Sequence, residues 1–328
     1  MFDVLLIGCG NIAGGFDADR EGLPPLTHAG AFGEHPEFRI AACVDPDAAR
    51  REAFQARWSV PEGAADLAAL DAEPGRFDVI GICSPTVFHA EHLEAALALR
   101  PRLIFCEKPV TPSASETEHW AARAAETGVL LAVNHTRRWA PDIVRLAAEL
   151  RDGTHGAIRS IAATYNKGVL NNGAHMIDLL RMIVGDVRVV HAGVPVRDFW
   201  PDDPTIPAML ESASGIPIQL SVADARDYAL FELSVITENA VIAMEEGGLS
   251  WRIRRAGASG AFAGYRALDP GERIAGEYFE AMRGAVANVA AALRDGAPLA
   301  SDGASALAAQ RVCEAIREAA ASHSQDRA

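Results

Sequence analysis

Through the first 135 residues, mainly apolar runs alternate with stretches of helical composition. The runs lie at 4–7, 38–45, 77–83, 102–106 and 129–133, and the helical stretches at 28–32, 48–57, 64–70, 89–99 and 113–127. Runs without a polar side are what strands buried on both faces look like, and this rhythm predicts βαβ units wound around a parallel sheet. Ser113, with Glu116 three residues on, makes a capping box at one helix start, and Gly128 stops that helix. Beyond residue 140 the rhythm changes. One helix at 142–150 is followed by strand-like runs at 158–165, 187–194, 209–213, 218–223, 230–237 and 240–245. A helix at about 174–184, stopped by Gly185, interrupts the series. The fold class expected is α/β: an N-terminal doubly wound parallel sheet and a C-terminal α+β domain with an open, largely antiparallel or mixed sheet. The division is placed at 1–120 and 121–328, with a last amphipathic helix at about 301–320 carrying Leu307, Val312 and Ile316, and a frayed tail at 322–328.

Composition narrows the class. The 328 residues are 49% apolar, enough for two cores, and the formal net charge is −14. That charge argues against a nucleic-acid backbone or an anionic membrane as partner. Five cysteines (Cys9, Cys43, Cys83, Cys106, Cys313) form no C-x-x-C pair, and most sit in apolar runs. They read as small buried side chains in a reducing compartment, so no metal site or disulfide framework is expected. The chain enters a strand at once without a basic leader, and no apolar run reaches ~18 residues. The cytoplasm is the expected location.

Candidate chemistry gathers at strand ends. Gly8-Cys9-Gly10-Asn11-Ile12-Ala13 has the form G-x-G-x-x-A after an apolar strand. Gly8 lets the chain turn, Gly10 lets a diphosphate approach the backbone, and Ala13 keeps the following helix close. Asp45 ends the second run, where an acid hydrogen-bonds a ribose 2′-hydroxyl; the plain alternative is a turn residue ahead of Pro46. Asp45 lies 35 residues after Gly10 against a usual interval of about 20, and the polar stretch 17–27 accounts for most of the excess. That stretch is either a neutral insertion or a cover over the site. Ser84-Pro85-Thr86 and Glu107-Lys108-Pro109 close two further strands. Lysine at a strand end in a partly dry crevice is suited to proton transfer or to holding a hydroxyl oxygen; the alternative is a surface lysine paired with Glu107. His175 opens a helix, with Asp178 one turn on. The helix dipole favours a neutral imidazole there, able to take a proton from a hydroxyl, unless the ring only caps the helix.

The ordered set (G-x-G-x-x-A, Val44-Asp45, Ser84-Pro85-Thr86 with His89, Glu107-Lys108-Pro109, Arg138-Trp139-Ala140-Pro141, then Gly173-Ala174-His175-x-x-Asp178-Leu179) resembles the glucose–fructose oxidoreductase / inositol dehydrogenase (Gfo/Idh/MocA) family. Asp302-Gly303 and Arg311-Val312-x-Glu314-Ala315-Ile316 extend the likeness to the last helix. The resemblance implies a Rossmann domain, a nicotinamide cofactor, and an open sheet that makes a homo-oligomer, a dimer or tetramer. It assigns Gly8, Gly10, Asn11, Ile12, Ala13, Asp45, Ser84, Pro85, Thr86, His89 and Glu107 to the cofactor. Lys108 and His175 take proton transfer, and Arg138, Tyr165, Lys167 and Asn171 join them at the substrate. Family members frequently carry Asp four residues before the histidine. Here it is Asn171, which can orient a hydroxyl but cannot serve as base. The activity implied is NAD(P)-dependent interconversion of a secondary alcohol and a ketone on a sugar, cyclitol or nucleotide-sugar. An NAD-dependent glycosidase and a non-catalytic cofactor-bound sensor are the alternatives. Asp45 favours NAD, and the nearby Arg50 and Arg51 keep NADP in play.

Overall fold

The computed structural model describes residues 1–325. Its first six strands are β1 (Phe2–Ile7), β2 (Phe38–Val44), β3 (Glu62–Ala64), β4 (Val79–Ile82), β5 (Leu103–Cys106) and β6 (Leu130–Val133). All pair in parallel, in the spatial order β3-β2-β1-β4-β5-β6. Helices α1 (His28–Glu34), α2 (Ala48–Trp58), α3 (His89–Ala98) and α4 (Ala114–Glu126) connect them. Successive residues of a strand serve opposite faces. Val4, Leu6, Val79, Leu103 and Phe105 share one core with Phe32, Val286 and Val289. Leu5, Ile7, Ile80, Ile82 and Ile104 share the other with Leu93 and Ala124. Burying such a side chain contributes about 1.5–3 kcal/mol, so the two-sided cover explains why the runs carry no polar face.

The expected helix at 64–70 does not form. Ala64 ends β3 opposite Val44, its carbonyl accepts from the Asp45 N–H at 3.1 Å, and the chain then runs through turns. Sheet pairing overrides an alanine-rich composition there. The stretch between the glycine turn and α1 is an insertion within a helix. The carbonyls of Ile12 and Ala13 accept from the N–H groups of His28 (3.2 Å) and Ala29 (2.8 Å), so α1 resumes the turn begun at 11–14. Asp17, 6% exposed, closes the neck of this loop by accepting from the N–H groups of Leu26 and Thr27 and from the Thr27 hydroxyl.

The second part of the chain contains α5 (Pro141–Arg151), β7 (Ile158–Tyr165), α6 (Ala174–Val184), β8 (Val187–Ala192), β9 (Val196–Trp200), β10 (Asp203–Thr205), β11 (Ala208–Ser212) and β12 (Pro217–Val222). It continues with β13 (Phe231–Thr237), β14 (Ala240–Glu245), β15 (Ser250–Ala258), β16 (Arg266–Leu268) and β17 (Glu272–Ala275). Nine of these strands form a mixed sheet in the order β16-β15-β14-β13-β7-β12-β11-β8, with β17 on β15; only β12 and β7 run parallel. β9 and β10 make a separate two-stranded hairpin. Ile161, Ala163, Leu220, Leu233, Val235 and Ile242 are buried on one face of the mixed sheet, while Met209 and Ile236 are exposed on the other. Asp142, at the start of α5, accepts from the Trp251 indole at 2.7 Å and so ties that helix to β15.

Two helices close the described chain, α7 (Ala281–Asp295) and α8 (Gly303–Gln325). The chain divides into two compact units, residues 1–140 with 279–307, and 141–278 with the residues from 308 on. The boundary placed at residue 120 therefore moves: α4 and β6 complete the parallel sheet, and α7 returns to it through Met282, Val286 and Val289. The last helix starts at Gly303 and continues through Gln325; the rest of the expected frayed tail lies outside the described residues.

Candidate functional site

In the parallel sheet the strand order reverses between β1 and β4, and ligands in such sheets lie beyond the carboxyl ends of the strands at that point. Gly8 sits there at φ +90°, and a Cβ on it would meet the Ser84 nitrogen at 2.9 Å. A Cβ on Gly10 would meet nothing within 4 Å. Gly8 thus serves the fold, whereas Gly10 keeps space open in front of the turn. Asn11 is exposed, Ile12 half-buried and Ala13 fully buried. Asp45 is 3% exposed. Its carboxylate accepts from the Cys9 N–H (2.9 Å) and the Asp47 N–H (2.9 Å), and the Arg50 guanidinium stands 3.4 Å from both oxygens. A cavity of about 640 Å³ opens between Gly8, Asp45 and Ser84. A buried acid at the second strand end, an unobstructed glycine and a cavity of this size fit a dinucleotide.

Ser84 and His92 were not paired by the sequence pattern, yet the Ser84 hydroxyl lies 2.8 Å from His92 Nδ1, and both line the cavity. Burial holds the His92 pKa below the usual imidazole value, so this ring favours its neutral form. The readable signal was its place one helical turn after His89. Pro85 is exposed, and Thr86 opens a short 3₁₀ turn leading into α3.

Lys108 stands half-buried after β5, joined to Pro109 by a cis peptide. Its two neighbours in the expected site act through the chain. Glu107 Oε1 receives Asn134 Nδ2 at 2.6 Å and stands 2.8 Å from Nε2 of the fully buried His28. Burial opposes ionisation of Glu107, but hydrogen bonding and charge from His28, with further help from Asn134 and Lys108, outweigh it and hold the carboxyl below its ordinary range. The carboxylate requires the proton of His28 on Nε2. His89, 1% exposed, bridges the Ser84 carbonyl (2.8 Å, Nε2) and the carbonyls of Pro109 and Val110 (3.0 and 3.1 Å, Nδ1). Glu107 and His89 were expected at the cofactor. In the structure both also brace the Lys108–Pro109 turn, Glu107 against α1 and His89 against the Ser84 carbonyl.

In the second unit, the segment before α6 forms a π-helical turn, Gly168–Gly173, continuous with that helix. Asn171 and His175 are half-buried, and Asp178, one turn on, is 1% exposed. Because a helical turn precedes it, His175 does not sit at the free amide end, and the dipole argument for a neutral ring lapses. The free amides fall at 167–171 and are collected by side chains of the β9–β10 hairpin. The Lys167 N–H goes to Asp198 (2.9 Å), Gly168 to the Thr205 hydroxyl (2.8 Å), Leu170 to Asp203 Oδ1 (2.9 Å) and Asn171 to Asp203 Oδ2 (2.8 Å). Thr205 in turn donates to Asp198 at 2.8 Å. Lys167 holds a left-handed backbone, φ +65°, which this network stabilises. The Asn171 amide nitrogen donates to the Lys167 carbonyl at 3.1 Å.

Tyr165 does not face the site. Its ring is fully buried, its hydroxyl donates to the Ile206 carbonyl at 2.7 Å and accepts from the Ile206 N–H, and burial pushes its pKa up. Arg138 is half-buried in the first unit and donates to the Ala300 carbonyl at 3.0 Å. Asp198, Asp203 and Thr205 went unnoticed in the sequence because they reach the loop from more than 30 residues away.

Comparison with known proteins matches residues 2–135 to a family model described as an oxidoreductase family with an NAD-binding Rossmann fold, Gfo/Idh/MocA. Inositol 2-dehydrogenase of Rhizobium meliloti is 24% identical over 312 residues, covering 88% of this chain and 91% of that protein. A dTDP-3,4-didehydro-2,6-dideoxy-alpha-D-glucose 3-reductase of Streptomyces antibioticus is 32% identical over 131 residues, 40% of this chain; the match spans only 39% of that relative's length. Among solved structures, the 3-ketoreductase KijD10 from Actinomadura kijaniata, crystallised with NADP, superposes with a TM-score of 0.75 at 20% identity, covering 97% of each chain.

Proposed function

We propose that the chain, whose residues 2–135 match the family model of the Gfo/Idh/MocA oxidoreductases, is a member of that family and an NAD(P)-dependent dehydrogenase or reductase. Its substrate would be sugar-like (a sugar, cyclitol or nucleotide-linked sugar), converted between secondary alcohol and ketone. The observation that carries this reading is the crevice of the first unit, where buried Asp45 and unobstructed Gly10 flank a cavity of about 640 Å³. When bound, a nicotinamide dinucleotide supplies the ring that exchanges hydride with the substrate carbon. Asp45 accepts a ribose hydroxyl through oxygens already oriented by two backbone N–H groups. The braced turn at Glu107–Pro109 presents the Lys108 ammonium, which exchanges the substrate hydroxyl proton and stabilises charge on that oxygen. His175 is the second proton-transfer group and Asn171 orients a hydroxyl, donating or accepting but never removing its proton. Inositol and dTDP-hexose chemistry in the named relatives supports the sugar-like class.

NAD is the preferred cofactor in this reading. Asp66 and Glu91 line the same cavity as Asp45, and three carboxylates disfavour a 2′-phosphate despite Arg50. The exposed face of the mixed sheet, carrying Met209 and Ile236, pairs with a second copy of the chain to form the homo-oligomer. Five buried free thiols fit a cytoplasmic setting. The assignment is tested by Lys108→Ala and His175→Ala, each of which is expected to lower kcat at least a hundredfold while NADH affinity stays within threefold. Turnover within a few-fold of wild type in both variants overturns it.

A further inference from the structure

The cavity of the first unit extends past the groups that would hold a diphosphate and a ribose. With the diphosphate at Gly8–Gly10 and a ribose hydroxyl on Asp45, the base of a dinucleotide continues into the rest of the cavity. The walls there suit a flat ring. Leu67 comes from the turns after β3, Phe88 immediately precedes α3, and Ala95 lies on that helix. The Phe88 ring is 49% exposed, and its centroid stands 6.2 Å from that of His92. Apolar and aromatic walls hold any base and do not choose among them.

The polar groups between those walls are of one kind. Ser84 Oγ stands 2.8 Å from His92 Nδ1, which fixes the imidazole, while Nε2 has no protein partner among the described residues. Burial holds this ring in its neutral form, so in the tautomer with the proton on Nδ1 the free Nε2 is an acceptor. Asp66 and Glu91 line the same cavity, and both are exposed. Asp66 Oδ1 accepts from the Ala69 N–H at 2.7 Å, and no described residue bonds to the Glu91 carboxylate. Ionised carboxylates only accept. Arg50, the one arginine of the lining among the described residues, is engaged with Asp45 and Asp47. Adenine presents a donor, its 6-amino group, where a 6-oxo purine presents an acceptor. A wall of acceptors satisfies the first and sets the second against lone pairs.

We propose that His92, positioned by Ser84, and the carboxylates of Asp66 and Glu91 read the 6-amino group of the cofactor's adenine, so that the chain takes an adenine dinucleotide and rejects its 6-oxo counterpart. This rests on the reading that the cavity holds the nicotinamide cofactor. It goes further in assigning the base, since the glycine turn and Asp45 would serve a dinucleotide of any base.

The test is titration of the full chain, without substrate, with NADH and with reduced nicotinamide hypoxanthine dinucleotide. The second differs in carrying a 6-oxo group in place of the amine, and nicotinamide fluorescence follows both. NADH is expected to bind at least tenfold more tightly to the wild-type chain. His92→Phe, which keeps a ring beside Phe88, should lower that ratio at least threefold, and so should Ser84→Ala. The Asp66→Asn/Glu91→Gln/His92→Phe triple variant should bring the two affinities within threefold of each other. Thermal melts establish that each variant is folded. Lost packing alone weakens both dinucleotides together and leaves the ratio where it was, so the ratio separates recognition from structure. Equal affinities in the wild type, or a wild-type ratio kept in His92→Phe and in the triple variant, overturn the base assignment alone. Failure to bind either dinucleotide overturns it together with the cofactor reading.

Discussion

Gly8 and Gly10 stand two residues apart and do different work, which makes them separable. Gly8→Ala places a Cβ at φ +90° and 2.9 Å from the Ser84 nitrogen. Left-handed backbone alone costs about 1–2 kcal/mol, and the contact adds to it, so a clear drop in Tm is expected. Gly10→Ala meets nothing in the protein. Its Tm should stay within about a degree of wild type, which is the scale of a near-neutral substitution, while NADH affinity measured by fluorescence falls at least tenfold. Wild-type NADH affinity in Gly10→Ala would mean that the diphosphate does not approach there. Two groups of the same unit contribute to acid stability. Burial keeps His92 neutral with its pKa lowered, so the unfolded chain binds the extra proton and stability falls as pH drops below about 6.5. The Glu107 pKa is also lowered, so its contribution is complete above about pH 4.3 and is lost as pH falls through its folded value. Melting curves between pH 8 and 3 should show the first loss beginning near pH 6.5, and His92→Gln should remove that step alone. A step unchanged in His92→Gln would assign it elsewhere. The left-handed turn at Gly8, the open space at Gly10 and the buried strand-end Asp45 follow from local backbone and were legible in the sequence. The Glu107 bracket was not, because His28 and Asn134 lie 79 and 27 residues from it and only the folded sheet brings them together.

At the scale of elements, the strands of the parallel sheet were plain because burial on both faces leaves mainly apolar runs. Composition misled at 64–70, where Ala64 ends an edge strand and the rest of the stretch runs through turns. The β9–β10 hairpin, with Pro201 and Asp202 at its turn and Pro204 in β10, shows little apolar alternation and carries its meaning in polar side chains. Helix α7 is the reverse case: Met282, Ala285, Val286, Val289 and Leu293 follow the helical period, and that pattern was readable though unassigned. The hairpin also makes the clearest prediction at this scale. Asp203→Ala leaves the Leu170 and Asn171 amides without their carboxylate, at about 1–3 kcal/mol for each buried donor left unmet. Tm should fall by several degrees, and amide exchange at 167–171 should speed up ahead of β7 and β13. Asp203→Asn, which keeps one acceptor, should recover part of the loss. Equal exchange at 167–171 in wild type and Asp203→Ala would show that other groups hold this loop.

For the whole molecule, the alternation of elements disclosed two kinds of sheet but not where the chain changes from one to the other. β6 and α7 belong to the first unit because they complete its sheet and its core, a matter of long-range pairing that no local window contains. Among the described residues no helix is long and apolar enough to cross a membrane. The open face of the mixed sheet bears on assembly. Met209→Glu/Ile236→Glu places charges where a second copy is proposed to lie, so light scattering should report a fall to monomer mass with NADH binding intact; unchanged mass would move the interface elsewhere. The central claim is the chemistry itself, and it is tested most directly by following nicotinamide absorbance in both directions across sugars, cyclitols and nucleotide-sugars. The account predicts cofactor reduction matched one-to-one by ketone formed on one member of that panel, and abolished in Lys108→Ala. Release of free sugar from a glycoside without net cofactor reduction, or no absorbance change with any member, would contradict it.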